Sequence, residues 1–120
     1  MNTLIATMLA TSLAAGLAPS YRLFQTDGML KPNGQLLHQL PTLQAGKGIS
    51  IIAETEGQGG ELACYLLIKN KAGYHIVALD EKANNTACFL SYTPTDNEQA
   101  RLWLRNNGTA TVVYSATVNQ

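Results

Sequence analysis

Apolar residues recur with two different periods along this chain, and the change of period divides its 120 residues into unlike parts. Over residues 1–21, MNTLIATMLATSLAAGLAPSY, the large apolar side chains fall at Leu4, Ile5, Met8, Leu9, Leu13 and Leu17. That is helical spacing, with Ala, Thr and Ser filling the other face, and it predicts an apolar helix over residues 1–25. Pro19 makes its continuation less easy. Residues 26–48 hold Gly28, Pro32, Gly34, Pro41, Gly46 and Gly48, the composition of a linker. Within it, Leu36 to Leu40 predicts no more than a helical turn or two.

From Ile49 the period becomes two. Ile49 to Glu54 reads as a strand, ended by Glu56-Gly57-Gln58-Gly59-Gly60. Glu61 to Asn70 reads as a second, with Leu62, Cys64, Leu66 and Ile68 on one face. Lys71-Ala72-Gly73 is a hairpin-length connection to a third strand, Tyr74 to Leu79. Glu81 to Asn85 is a polar turn before a fourth, Thr86 to Thr93. Thr95 and Glu98 then have the spacing of a capping box, and Gly108 can end a helix whose apolar face is Ala100, Trp103 and Leu104. Thr109 to Val118 is a last strand, with Ala110, Val112, Tyr114, Ala116 and Val118 in one row. The expected fold class is α+β: an N-terminal apolar helix, a turn-rich linker, and a β-rich part over residues 49–120. That part would be a single, mainly antiparallel sheet of about five strands with one short amphipathic helix before the last. All of it would form one domain.

Composition narrows the function. Apolar residues make up 46% and charged residues 13%, against a usual ~25% charged, which excludes intrinsic disorder. Eight basic and eight acidic residues give zero net charge without a Lys/Arg cluster, so a nucleic-acid partner is not expected. Zero net charge is permissive for self-association. Cys64 and Cys88 can form one disulfide. If the second, third and fourth strands form a simple meander, the two cysteines lie a whole strand apart, roughly 9–10 Å, too far to bond. Either the fourth strand lies beside the second or on another layer, or the thiols are free.

Catalytic chemistry finds little support. His75 sits on a predicted strand and His38 in the linker, neither near a Ser or Cys motif. Cys64, His75 and Cys88 lack zinc-ligand spacing, and no metal or cofactor is expected. Glu54 and Glu56 share one strand face, which a solvated surface explains. The Gly-rich run 57–60 joins strands and does not lead into a helix, so it is no phosphate cradle. Trp103, with Arg101 and Arg105 nearby, has the residue types that grip a sugar or a base, but on a helix it would be a core residue. Asn84 and Asn107 each begin a glycosylation-type triplet. The expected protein is no enzyme.

The uncharged start admits three readings: a secretory signal that is cleaved, an ordinary helix packed on its own sheet, or a retained apolar helix contacting a membrane or other subunits. Leu13-Ala14-Ala15, Pro19, Tyr21 and Phe24, in the run LAAGLAPSYRLF, resemble the end of the hydrophobic helix in type IV pilins and pseudopilins. The family's glutamate near the helix start is missing, and the breaks after Phe24 come early, so the resemblance implies a short or minor subunit. It implies a cell-envelope or extracellular assembly protein, self-associating through Leu4, Ile5, Met8, Leu9, Leu13 and Leu17. The partners would be copies of itself or other envelope proteins, with membrane contact through residues 1–21. The alternative expectation is a soluble periplasmic or secreted binding or inhibitor module.

Overall fold

The computed structural model describes residues 20–56 and 60–120, and these hold eight strands and no helix. The strands are β1 (Arg22–Leu30), β2 (Gln35–Gln39), β3 (Ile49–Glu56), β4 (Leu62–Asn70), β5 (Gly73–Asp80), β6 (Ala87–Tyr92), β7 (Ala100–Asn106) and β8 (Val112–Asn119). They form two antiparallel four-stranded sheets with orders β1-β8-β3-β6 and β2-β7-β4-β5. Consecutive strands cross between the sheets at every step but one, β4 being followed by β5 within one sheet through the Lys71-Ala72 hairpin. This order is that of a jelly roll, two Greek keys folded face to face. The expected α+β fold with a single sheet is therefore corrected to an all-β sandwich.

Strict alternation builds the core. Leu62, Cys64, Leu66 and Ile68 of β4 and Ala100, Leu102 and Leu104 of β7 face Ile49, Ile51 and Ala53 of β3 and Val112, Tyr114, Ala116 and Val118 of β8. All are buried, as facing inner sheet surfaces require. The four strands expected between residues 49 and 93, and the last strand, are present. The expected rows Leu62, Cys64, Leu66, Ile68 and Val112, Tyr114, Ala116, Val118 are buried, while Ala110, expected in the second row, precedes β8 and is exposed.

The segments read as helix and linker differ. Residues 22–25 belong to β1, and residues 26–48, expected to connect, contain the rest of β1 and all of β2, where His38 lies. Gly28 breaks no strand: it pairs with Tyr114, and a Cβ there would lie 2.8 Å from the Tyr114 hydroxyl, so glycine lets the ring pass. The turn is Lys31-Pro32-Asn33-Gly34, closed by the Gly34 N–H donating to the Lys31 carbonyl at 2.8 Å. Pro32 and left-handed Asn33 (φ 63°) are the residue choice of a type II turn. Beyond β2, Leu43 is buried and bridges to Glu98, and the Gln120 amide fastens the loop through Gln44 and Lys47.

The helix expected around Ala100 to Leu104 is strand β7. Ala100, Leu102, Leu104 and Asn106 are buried while Arg101, Trp103 and Arg105 are not, a period of two. Glu98 does not cap. Its backbone pairs with Leu43, and its carboxylate accepts a hydrogen bond from the Tyr92 hydroxyl at 2.8 Å. Burial first, then that bond and the nearby acidic charge, push the Tyr92 hydroxyl up to about 12.

The two flanks of the sandwich are closed differently. On one, Cys64 of β4 is bonded to Cys88 of β6 with Cα atoms 6.2 Å apart. β6 thus lies on the other layer, which is how a bridge and these strands coexist. Beside it Asp80 is buried and accepts from the Phe89 N–H at 3.1 Å, from Asn85 at 3.3 Å and from Lys82 at 3.2 Å. Burial alone would raise its pKa, but the Phe89 amide and the Lys82 ammonium outweigh it and hold the carboxyl below its ordinary value. On the other flank β1 lies over β2, with Phe24 and His38 rings 5.6 Å apart and His38 Nε2 3.4 Å from the Tyr114 hydroxyl. At one end of that flank the fully buried Asn106 amide donates to Leu30 and Ala110 carbonyls and accepts from the Gly108 N–H.

Replacing both cysteines with alanine is expected to lower the unfolding free energy by about 3 kcal/mol, the loop-closure contribution, measured as an earlier urea midpoint. A midpoint that stays put would show the bridge to be dispensable. Because the folded-state pKa of Asp80 is depressed, its stabilisation is present above the unfolded pKa and lost as pH falls through the folded one. Asp80→Asn is therefore expected to destabilise at pH 7 by roughly 1–3 kcal/mol and to flatten the acid limb of the stability profile. An acid limb identical to the parent's would contradict this.

Candidate functional site

The outer face of the β2-β7-β4-β5 sheet gathers the chain's single tryptophan, two tyrosines and two arginines. Strand pairing builds it row by row. Leu37, Trp103, Tyr65 and Leu79 stand opposite one another across all four strands. Gln39, Arg101, Leu67 and Ile76 form the adjoining row, and Gln35, Arg105 and Ala63 the next on the other side. The β5 register shift at Leu66/Leu67 makes this possible, since it brings both Leu79 and Ile76 to the outer face.

Side-chain contacts then fix the aromatic groups. The Tyr65 and Trp103 rings lie 4.6 Å apart at 33°, and the Arg105 guanidinium sits 5.4 Å from the Trp103 ring. Trp103 Nε1 donates to the Gln35 amide oxygen at 2.9 Å. Arg101 lies 4.0 Å over the Tyr74 ring and donates through Nε to Gln39 at 2.9 Å. The Tyr65 hydroxyl donates to Glu81 at 2.5 Å. Burial, and then that bond and the Glu81 charge, raise the Tyr65 pKa, partly offset by Arg105. Leu37 is 51% exposed, Leu79 52% and Ile76 43%. Beside them a shallow, mainly apolar cleft of about 410 Å³ opens between Gln35, Leu36, Leu37, Leu67 and Trp103.

Among the described residues neither arginine has a carboxylate partner at ion-pair distance; the ion pair found there is Lys82–Asp80, off this face. The face is thus an apolar and aromatic stripe bracketed by two guanidiniums. Such a surface binds by area and charge, with Trp, Tyr and Arg the residue types that dominate interface energetics.

The other candidate residues lie elsewhere. His75 is exposed on β5 with Nδ1 3.1 Å from the Asn70 amide, and burial lowers the pKa of His38. Glu54 and Glu56 share the exposed outer face of β3. Asn84 and Asn107 line one polar cleft with Gly60, Glu61, Thr86, Gly108 and Thr109. Leu4, Ile5, Met8, Leu9, Leu13 and Leu17 fall outside the described residues. Among the described residues no group of three or more His, Cys, Asp or Glu could hold a metal ion. Trp103, read as a core residue of a helix, stands on the outer face of a strand. Tyr65, Tyr74, Leu37, Ile76 and Leu79 were not singled out from sequence; the alternation Ala100-Arg101-Leu102-Trp103-Leu104-Arg105-Asn106 was the signal that points to the face.

No protein-family model matches the chain, and no curated protein matches it by sequence. Solved structures do match the fold. The Yersinia pseudotuberculosis-derived mitogen is similar with TM-score 0.62 at 11% identity, over 80% of this chain and 83% of that one. A surface-associated copper-binding protein from Methylomicrobium album BG8 is similar with TM-score 0.57 at 9% identity, over 78% and 91%. The Aeromonas hydrophila periplasmic inhibitor of g-type lysozyme is similar with TM-score 0.55 at 9% identity, over 82% and 87%. At these identities the likeness is one of fold. It runs to β-sandwich proteins, and with no helix among the described residues it overturns the resemblance to type IV pilins.

The arginines should be detectable through the lone tryptophan. Iodide is expected to quench Trp103 fluorescence more strongly than caesium, because two unpaired guanidiniums concentrate anions at the ring. Arg105→Glu should remove that preference. Equal quenching by both ions in the parent protein would contradict the positive field at this face.

Proposed function

We propose that the chain is an extracytoplasmic, non-enzymatic binding module that recognises a protein partner through the outer face of the β2-β7-β4-β5 sheet. The observation that carries the reading is the Leu37–Trp103–Tyr65–Leu79 stripe flanked by Arg101 and Arg105 without carboxylate partners at ion-pair distance. Its complement is a protein surface with an apolar centre and acidic side chains around it. A sugar would need an open aromatic plane, whereas Trp103 already packs against Tyr65 and Arg105 and is surrounded by exposed aliphatic side chains. The location is supported by the Cys64–Cys88 bridge, since disulfides persist in oxidising compartments. Two of the similar structures are described as periplasmic and surface-associated. One of them inhibits a lysozyme, so this architecture can act by engaging another protein.

A photo-reactive residue at position 76, with position 115 on the opposite sheet as control, tests the reading in extracytoplasmic extract of the native host. The expected result is a protein adduct at 76 alone, identified by mass spectrometry and then purified. Binding of that purified partner should weaken tenfold or more, about 1.4 kcal/mol, with Arg101→Glu and with Ile76→Lys. Equal adducts at 76 and 115, unchanged affinity in both variants, or retention on polysaccharide in place of any adduct would overturn it.

A further inference from the structure

Two sheets have four edges, and three of them carry features that discourage pairing with another chain. β5 is bulged at Leu66/Leu67 opposite it and lies against β6, which the disulfide ties inward. β1 has a register irregularity between Arg22 and Phe24, with Asp27 and Gly28 in its second half. β2 differs. Its sequence, Gln35-Leu36-Leu37-His38-Gln39, has no lysine, acid or proline, and its pairing with β7 runs without a bulge.

The direction of its free groups follows from the ladder. The Gly34 carbonyl accepts from Asn106 at 2.9 Å, and the Leu40 N–H donates to Ala100 at 3.0 Å, so even-numbered residues bond to β7. By the alternation of antiparallel pairing, Gln35, Leu37 and Gln39 turn their N–H and C=O groups away from β7, to a side where no described strand pairs with β2. The Gln35 and Gln39 side chains do not cover them, being turned back to Trp103 and Arg101. Leu37 is half exposed here, and Leu36 is 39% exposed at the rim.

We infer that two copies of the chain pair antiparallel through β2 about a two-fold axis at Leu37. The strand is self-complementary about that point: Gln35 meets Gln39 of the second copy, Leu36 meets His38, and Leu37 meets Leu37. The three residues with free groups become hydrogen-bonded pairs, each exchanging two main-chain bonds. No charge opposes a like charge, and the chain's net charge of zero adds no long-range repulsion. Because the axis is perpendicular to the sheet, both outer faces lie on one side. The Leu79–Tyr65–Trp103–Leu37 row then continues into its copy as one stripe across two joined sheets. This goes beyond the binding role proposed above and stands or falls without it.

Sedimentation velocity on the full chain, over a dilution series, tests the pairing with charge-swapped variants at the axis. Wild type is expected to sediment as a dimer at the upper end of the series. Leu37→Lys and Leu37→Glu, each alone, are expected to be monomers, since like charges would face each other across the axis. Their equimolar mixture is expected to recover the dimer, as opposite charges meet. Leu79→Lys, at the far end of the row, should stay dimeric. A monomeric wild type, dimers of either Leu37 variant alone, or a mixture that remains monomeric would overturn the inference. Circular dichroism superposable on wild type shows that each variant is folded.

Discussion

Every feature of this molecule depends on one constraint: two twisted sheets must bury one face each, so side chains alternate in and out on their strands. Tyr114, Ile51, Leu66 and Leu102 fill the space between layers, and none has exposed surface above a percent or so. The same alternation decides what is left outside. When Leu102 and Leu104 go in, Arg101, Trp103 and Arg105 must come out together. The candidate binding face is the other side of the core, not a separate addition to it.

The chemistry of the two flanks follows from the loops that cross them. Where β4 and β6 approach from opposite layers, a covalent bond and the buried Asp80 join the sheets. Where β1 lies over β2, polar groups do the joining: Asn106 satisfies two carbonyls and one amide, and His38 meets Tyr114. Asn106 has no exposed surface, yet each of its polar atoms has a partner, so its burial costs little.

The part of the fold legible in the sequence is the part where strands have no rival explanation. Residues 49–93 break into four strand-length runs and Val112 to Val118 alternates cleanly. The geometric conflict between a meander and a bridge already required the fourth strand to lie beside the second or on another layer if the cysteines were bonded. The rest was hidden by ambiguity of period. Ala100, Trp103 and Leu104 fit a helical face, and Thr95 with Glu98 imitates a cap; only Leu102 and the arginines choose the strand. Glycine misled at residue 28, where it marks the passage of a ring and not a turn. A short edge such as β2, with Leu36 and Leu37 adjacent, shows no alternation at all. Its outer residues are half exposed because nothing lies beyond them in the sheet.

Reading Trp103 as helical also hid the site. On a helix, Arg101 and Arg105 would share a face four residues apart while Trp103 pointed nearly opposite. On a strand all three project the same way, and neighbouring strands add Tyr65, Leu37 and Leu79 at fixed lateral spacing. No single segment contains enough of this surface to announce it. It comes into being through register, since a slip of one residue in β7 would exchange Trp103 for a leucine and bury both arginines. What holds that register is the inward row of the same strand, ending at Asn106. The residues that give the face its chemistry are thus positioned by residues that never touch a partner.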